Sequence, residues 1–269
     1  MSQNLAQKKI KEAGVAVVEY EQRGPIVIIT MNRPERRNAM SRDLMLGLAE
    51  SWQQFAKDPQ ARIAILTGTG NTFCSGMDIK ERLASGEAGL GVPELPVRDP
   101  FWHQELDKPT IAAVNGYAFG GGFYFASYSD FRVAIPSALF EITEVAHGMA
   151  VGHDVVLLRE NLPYAIAAEL AAGGRVTAER LYQVGFINRL AEPGKLLETA
   201  VTFAEEILRR PPLAVDYNLR LLRALSRLPT PTAISDRAKQ YNEKLQHSED
   251  LKESLRAFLE HRSPVYRGR

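Results

Sequence analysis

Twice in this chain a short apolar run, long enough for one buried strand, ends in a cluster of small residues from which a helix starts. Ile63–Thr67 leads to Cys74-Ser75-Gly76-Met77-Asp78, and Ile111–Val114 leads to Gly120-Gly121-Gly122-Phe123. Strands that alternate with helices pair in parallel through right-handed crossovers, so the doubled pattern restricts the fold to the α/β class. It also has chemical content. Small residues admit a ligand close to the main chain. The first N–H groups of a helix lack internal partners and lie at the positive end of its dipole. Two such ends aimed at one point would make an oxyanion hole; a glycine turn that only bends the chain is the other reading. No Walker A string occurs, and Gly120-Gly121-Gly122 lacks the G-x-G-x-x-G spacing of a dinucleotide site.

The rest of the chain fits around these two units. Val15–Tyr20 and Ile26–Thr30 read as adjacent strands across a turn at Gln22-Arg23-Gly24-Pro25. Ser41 is placed to cap a helix reaching about Lys57, with Leu44, Leu46, Leu48, Trp52 and Phe55 as its apolar face. Strands are expected at Arg62–Leu66, Thr110–Val114 and Arg132–Ile135, and helices from about Asp78 and over Gly121–Tyr128. The Gly- and Pro-rich stretch Ser85–Asp99 suits either a lid over a site or a solvated insertion. Beyond Pro163 helices are expected at 164–172, 177–184, 194–210, 212–227, 231–246 and 249–261. A composition shift near 210 divides the chain into a core, 1–208, and a helical region, 209–269, suited to packing on a partner subunit.

Composition narrows the class of function. With 269 residues and a formal net charge of +1, the chain lacks the basic excess that nucleic acid or an anionic membrane demands. The apolar stretch 111–128 contains Asn115 and four glycines and is bracketed by Lys108 and Asp130, which disfavours a membrane span. One cysteine, Cys74, excludes an internal disulfide and a Cys-rich zinc site. The histidines lack metal-ligand spacing, so no metal is expected. The N-terminal MSQNLAQKKIKEAG has no secretory apolar core, and a cytoplasmic location is the expectation.

Several motifs carry a family resemblance. Met31-Asn32-Arg33-Pro34-Glu35-Arg36-Arg37-Asn38-Ala39-Met40, FCSGMDIKE at 73–81 and KPTIAAVNGYAFGGG at 108–122 closely resemble the crotonase, or enoyl-CoA hydratase/isomerase, superfamily. Arg175-Val176-Thr177-Ala178 with Gly185-Phe186-Ile187-Asn188 resembles its later helical signature, and FLEHRSPVYRGR at 258–269 its usual C-terminus. The resemblance implies a crotonase-like spiral of ββα units with a C-terminal α-helical oligomerisation region, a homotrimer or hexamer, and acyl-CoA thioester substrates of fatty acid metabolism. Coenzyme A is then the substrate carrier, with no separate cofactor. It further implies that the N–H groups of Met77 and Gly121 bind the thioester oxygen, with Lys80, Asp78 and Gly76 on the side holding the CoA carrier. Met77 replaces the alanine of many relatives, and His261 a C-terminal lysine.

The acid–base positions then decide the reaction. Hydratases of the family use two glutamates; the first position is Tyr124 here, whose phenol pKa near 10 disqualifies it as a base at pH 7. The second aligns with Glu144, and Glu141 competes if the register slips by three. A single carboxylate suffices to move a proton between carbons of an enolised thioester, so isomerisation is favoured over hydration. In Gly148-Met149-Ala150-Val151-Gly152-His153-Asp154-Val155, His153 and Asp154 stand where relatives have small residues. They suit either hydrolase or lyase chemistry, or a helix cap at Asp154 with a packing role for His153. A non-catalytic acyl-CoA-binding oligomer is the remaining alternative. His147 and His103 read as structural, as does Cys74.

Overall fold

A strand that is apolar on both faces needs cover on both, and this need organises the chain into layers. The computed structural model describes residues 16–85, 95–147, 152–224 and 247–269, with residues 240 and 244. Strand β1 (Val18–Arg23) pairs antiparallel with β2 (Ile26–Met31) across Gly24-Pro25, where Gly24 adopts φ 59°. β1 runs through Gln22 and Arg23, which the sequence suggested for the turn. It is an exposed edge strand, so apolar residues do not mark its limits. Helix α1 (Arg42–Lys57) follows, its start fixed by Ser41 Oγ accepting the Leu44 N–H at 3.1 Å. It buries Leu44, Met45, Leu48, Trp52 and Phe55. Leu46, expected on that face, is only half-buried, because two residues advance the helix by roughly 200° and Met45 takes the inward place.

Three turns of a spiral come next, each built from a strand in a six-stranded sheet, a strand in a four-stranded sheet, and a helix. The first is β3 (Ile63–Gly68), β4 (Thr72–Cys74) and α2 (Ile79–Ser85); the second β5 (Thr110–Val114), β6 (Tyr117–Phe119) and α3 (Gly121–Tyr128). The third is β7 (Phe131–Ala134), β8 (Leu139–Glu141) and α4 (Gly152–Asn161). α5 (Tyr164–Ala171), β9 (Val176–Thr177), α6 (Ala178–Gln183), β10 (Arg189–Leu190), α7 (Leu196–Leu208), α8 (Pro212–Ala224) and α9 (Glu249–Leu259) complete the order. The larger sheet runs β1-β2-β3-β5-β7-β10, parallel beyond the first pair, and the smaller β4-β6-β8-β9. The expected ββα spiral is present. The helix expected at 231–246 falls, apart from residues 240 and 244, outside the described residues, as does 86–94 of the Ser85–Asp99 stretch.

Two apolar layers flank the large sheet. Val27, Ile29 and Met31 point to the layer holding α1, α3 and the small sheet, while Ile26, Ile28, Ile63, Ile65 and Ile111 meet Ala200 and Ala204 of α7. α8 is tied back to this body. Arg223 donates to both Asp130 oxygens at 2.7 and 2.6 Å, and also to the carbonyls of Leu106 and Lys108. Asp130 additionally accepts the Thr110 N–H and hydroxyl. At the C-terminal end, Asp250 accepts the N–H groups of Arg267 and Gly268, which folds the tail onto the start of α9.

Candidate active site

The spiral places the ends of β4 and β6 side by side, so the two small-residue clusters meet. Their approach depends on glycine. Gly76 lies at φ 88°, and a methyl group there would stand 3.0 Å from the Phe119 carbonyl and 3.5 Å from the Gly121 nitrogen. Gly120 lies at φ 50° and ψ −117°, outside the usual L-residue regions. The Met77 segment is held by a short parallel bridge to Met40: the Met40 N–H donates to the Gly76 carbonyl at 2.8 Å, and the Asp78 N–H to the Met40 carbonyl at 3.2 Å. The Met77 N–H, between these two bonds, faces away from Met40. In α3 the N–H groups of Phe123 and Tyr124 return to the Gly120 carbonyl, leaving the Gly121 N–H outside the helix ladder. Neither the Met77 nor the Gly121 amide has a hydrogen-bond partner among the described residues.

Glu144 joins them from the third spiral turn. β8 is locked to the glycine turn by the Gly120 N–H donating to the Glu141 carbonyl at 3.0 Å, and β8 continues into a 3-10 turn, Thr143–His147. This seats the Glu144 side chain against Gly120: a methyl group there would meet Oε1 at 2.8 Å. Oε2 is buried and has no hydrogen-bond partner among the described residues. A buried acceptor without a donor is costly, so this oxygen is available to a bound molecule. The competing Glu141 differs in kind, since its Oε2 accepts from Arg175 Nε at 2.5 Å. Register and pairing separate the two glutamates.

The remaining candidates are placed as follows. Tyr124 is half-buried, its ring 5.6 Å from Trp102 and 5.7 Å from Tyr128, so an aromatic wall occupies the position of a first carboxylate. Asp78, expected beside the carrier, spends both oxygens on the protein: Oδ1 accepts the Glu81 N–H at 3.2 Å and Oδ2 accepts from Arg33 at 3.1 Å. It positions the start of α2. Lys80 stands exposed on that helix. Cys74 is buried, and burial pushes its thiol up to about 12, which removes it as a nucleophile. Asp154 occupies the first turn of α4, which begins at Gly152; the expected cap at Asp154 is therefore corrected, the helix starting two residues earlier. The side chains of His147, His153 and Asp154, and all of 148–151, lie outside the described residues.

Sequence reasoning missed two asparagines that shape this site. Asn38, fully buried at φ 52°, donates to the carbonyls of Thr69 and Thr72 at 3.0 and 2.7 Å and accepts the Arg33 N–H at 2.8 Å. Asn115 donates to the carbonyls of Gly68 and Gly70 at 2.8 and 2.9 Å. Together they hold the switch from β3 to β4. The only signal was Asn at turn-like positions within the motifs.

Comparisons with known proteins agree with this architecture. The family model for enoyl-CoA hydratase/isomerase matches residues 21–269. The chain belongs to the enoyl-CoA hydratase/isomerase family. It is similar to a carnitinyl-CoA dehydratase of Salmonella typhi, 37% identical over 262 residues, covering 91% of this chain and 96% of that one. Among solved structures it is similar to an enoyl-CoA hydratase from Mycobacterium tuberculosis (TM-score 0.87, 38% identity, 95% and 100% of the two chains). A second, from Mycobacterium marinum, gives a TM-score of 0.85 at 37% identity over 95% of this chain and 100% of the other. The chain is thus an enzyme of the enoyl-CoA hydratase/isomerase type.

Proposed function

We propose that the protein moves a proton on an acyl-CoA thioester, with Glu144 as the acid–base group and the Met77 and Gly121 amides binding the thioester oxygen. The observation that carries the reading is the unpartnered Glu144 Oε2 beside Gly120, one residue from the Gly121 amide. In a 3-enoyl-CoA, Glu144 takes a proton from C2, the negative charge develops on the thioester oxygen between the two N–H donors, and the same carboxyl returns the proton to C4. The double bond shifts from C3–C4 to C2–C3 and nothing is gained or lost. Preorganised donors of this kind are worth on the order of 10²–10³ in rate each. The Trp102–Tyr124 wall supports isomerisation, because among the described residues no second carboxylate stands there to handle water. Gly76 lets the substrate approach the main chain, Asp78 holds the start of α2, and Lys80 is placed to reach the carrier's phosphates.

Hydration and dehydration form the second reading, favoured by the relative named a carnitinyl-CoA dehydratase. Incubation with 2-enoyl-CoA and 3-enoyl-CoA sets in deuterated water separates the readings. Isomerisation gives a shifted double bond at unchanged heavy-atom composition with deuterium at C2 or C4. A product heavier by one water selects hydration, release of free CoA selects hydrolysis with Asp154 or His153, and binding without conversion selects a non-catalytic role. Exposed Leu222, Leu251 and Val265 on the C-terminal helices and tail support assembly through that region into a trimer, readable by native mass.

A further inference from the structure

A cavity of about 600 Å³ lies at the edge of the molecule opposite the glycine turns. Pro25 and Arg62, which line it, immediately precede β2 and β3, whereas the candidate active site follows the far ends of β3 and β5. Its other walls come from Pro59 and Gln60 after α1, Leu208 and Arg209 at the end of α7, and the tail residues Pro264, Tyr266 and Arg267. Three arginines therefore line one cavity. None of Arg62, Arg209 and Arg267 has a side-chain ion pair or hydrogen bond among the described residues. Arg62 is half-buried, and the carboxylates whose charge acts on it are engaged or set back. Asp250 is occupied by the Arg267 and Gly268 N–H groups, and Asp216, half-buried on α8, has no hydrogen bond or ion pair to Arg62.

Arg62, Arg209 and Arg267 thus line one concavity with no side-chain ion pair or hydrogen bond among the described residues, and guanidinium matches phosphate oxygens in a bidentate way. The volume falls within the usual range for small-molecule sites, roughly 300–1,000 Å³. Prolines 25, 59, 212 and 264 and the Tyr266 ring supply apolar surface for an organic body. We propose that this cavity binds an organic diphosphate of nucleotide size, its phosphates held by Arg62, Arg209 and Arg267 and its body by the prolines and Tyr266.

The test is calorimetric titration of the full chain with ADP and with inorganic pyrophosphate, repeated at saturating acyl-CoA. The expected result is binding of both probes, ADP more tightly, with affinity retained when acyl-CoA is present. Arg62→Gln and Arg209→Gln should each weaken ADP at least tenfold while leaving acyl-CoA turnover and native mass unchanged. Absence of binding, or ADP affinity indifferent to both substitutions, overturns the proposal. Loss of ADP binding at saturating acyl-CoA overturns it as well, since the probe then occupies the acyl-CoA site. A change of native mass in both variants without a change in affinity assigns the arginines to a subunit interface and also overturns it.

Discussion

Asp130 and Glu144 are both carboxylates held inside the spiral, and they have been treated in opposite ways. Asp130 closes the edge of β5 and β7 with every oxygen occupied, by Arg223 and by the Thr110 N–H and hydroxyl. Glu144, seated against a glycine turn, keeps an oxygen with no donor among the described residues. A saturated buried carboxylate works as a clamp, whereas one left short of donors has an oxygen to offer a ligand. The contrast sets a structural carboxylate beside the one proposed for the chemistry.

The sharpest way to break this contrast is Glu144→Gln. Turnover should fall about 10³-fold while acyl-CoA affinity and thermal midpoint stay close to wild type, as general acid–base catalysis contributes on the order of 10²–10⁴. A variant that keeps wild-type rates removes Glu144 from the chemistry. Asp130→Ala is the complementary change. Leaving half-buried Arg223 without its carboxylate, with neutral carbonyl partners in place of a counter-charge, should cost about 3–5 kcal/mol in a denaturant titration, with the rate of the folded fraction unchanged.

Asp99 sharpens the comparison through pH. Burial pushes its carboxyl up to about 6, although Oδ1 accepts the Phe101 and Trp102 N–H groups. A raised native pKa means the folded state holds the proton more tightly. Asp99 therefore favours folding at low pH, and that contribution is lost as pH rises from the ordinary carboxylate range through about 6. Asp99→Asn should accordingly be more stable than wild type by roughly 2 kcal/mol at pH 7, the gap closing near pH 4. A pH-independent gap would place the cost elsewhere. The smallest effect is expected from Glu141→Gln. Its partner Arg175 is largely exposed, so stability should fall by less than about 1 kcal/mol and turnover by no more than about twofold. A collapse in turnover would exchange the roles of the two glutamates.

The large sheet and its helices were readable because their apolar runs are long enough to show a period: Ile26–Thr30, Thr110–Val114 and Gly121–Tyr128 appear nearly as expected. The small sheet was not. Thr72–Cys74, Tyr117–Phe119 and Leu139–Glu141 are three residues each, too short for alternation to register, and they exist because the spiral brings them together. The same limit governs the site. The strand-to-glycine-to-helix pattern marked two small-residue clusters, within which the resemblance picked out Met77 and Gly121; it also favoured Glu144, but Glu141 remained a competitor in a register slipped by three, and Arg175, 34 residues away, holds Glu141. The resemblance placed Asp78 beside the carrier, and its ion pair with Arg33, 45 residues distant, is a contact that spacing alone does not show.

The Asp130–Arg223 clamp also imposes an order on biosynthesis. The arginine leaves the ribosome 93 residues after the aspartate it neutralises. Until then the carboxylate must stay hydrated, and the seam between the second and third spiral turns stays open to water. Maturation of the central strands thus waits on the arrival of a helix made late in translation, and a chain released before that helix would keep a wet fault line through its middle.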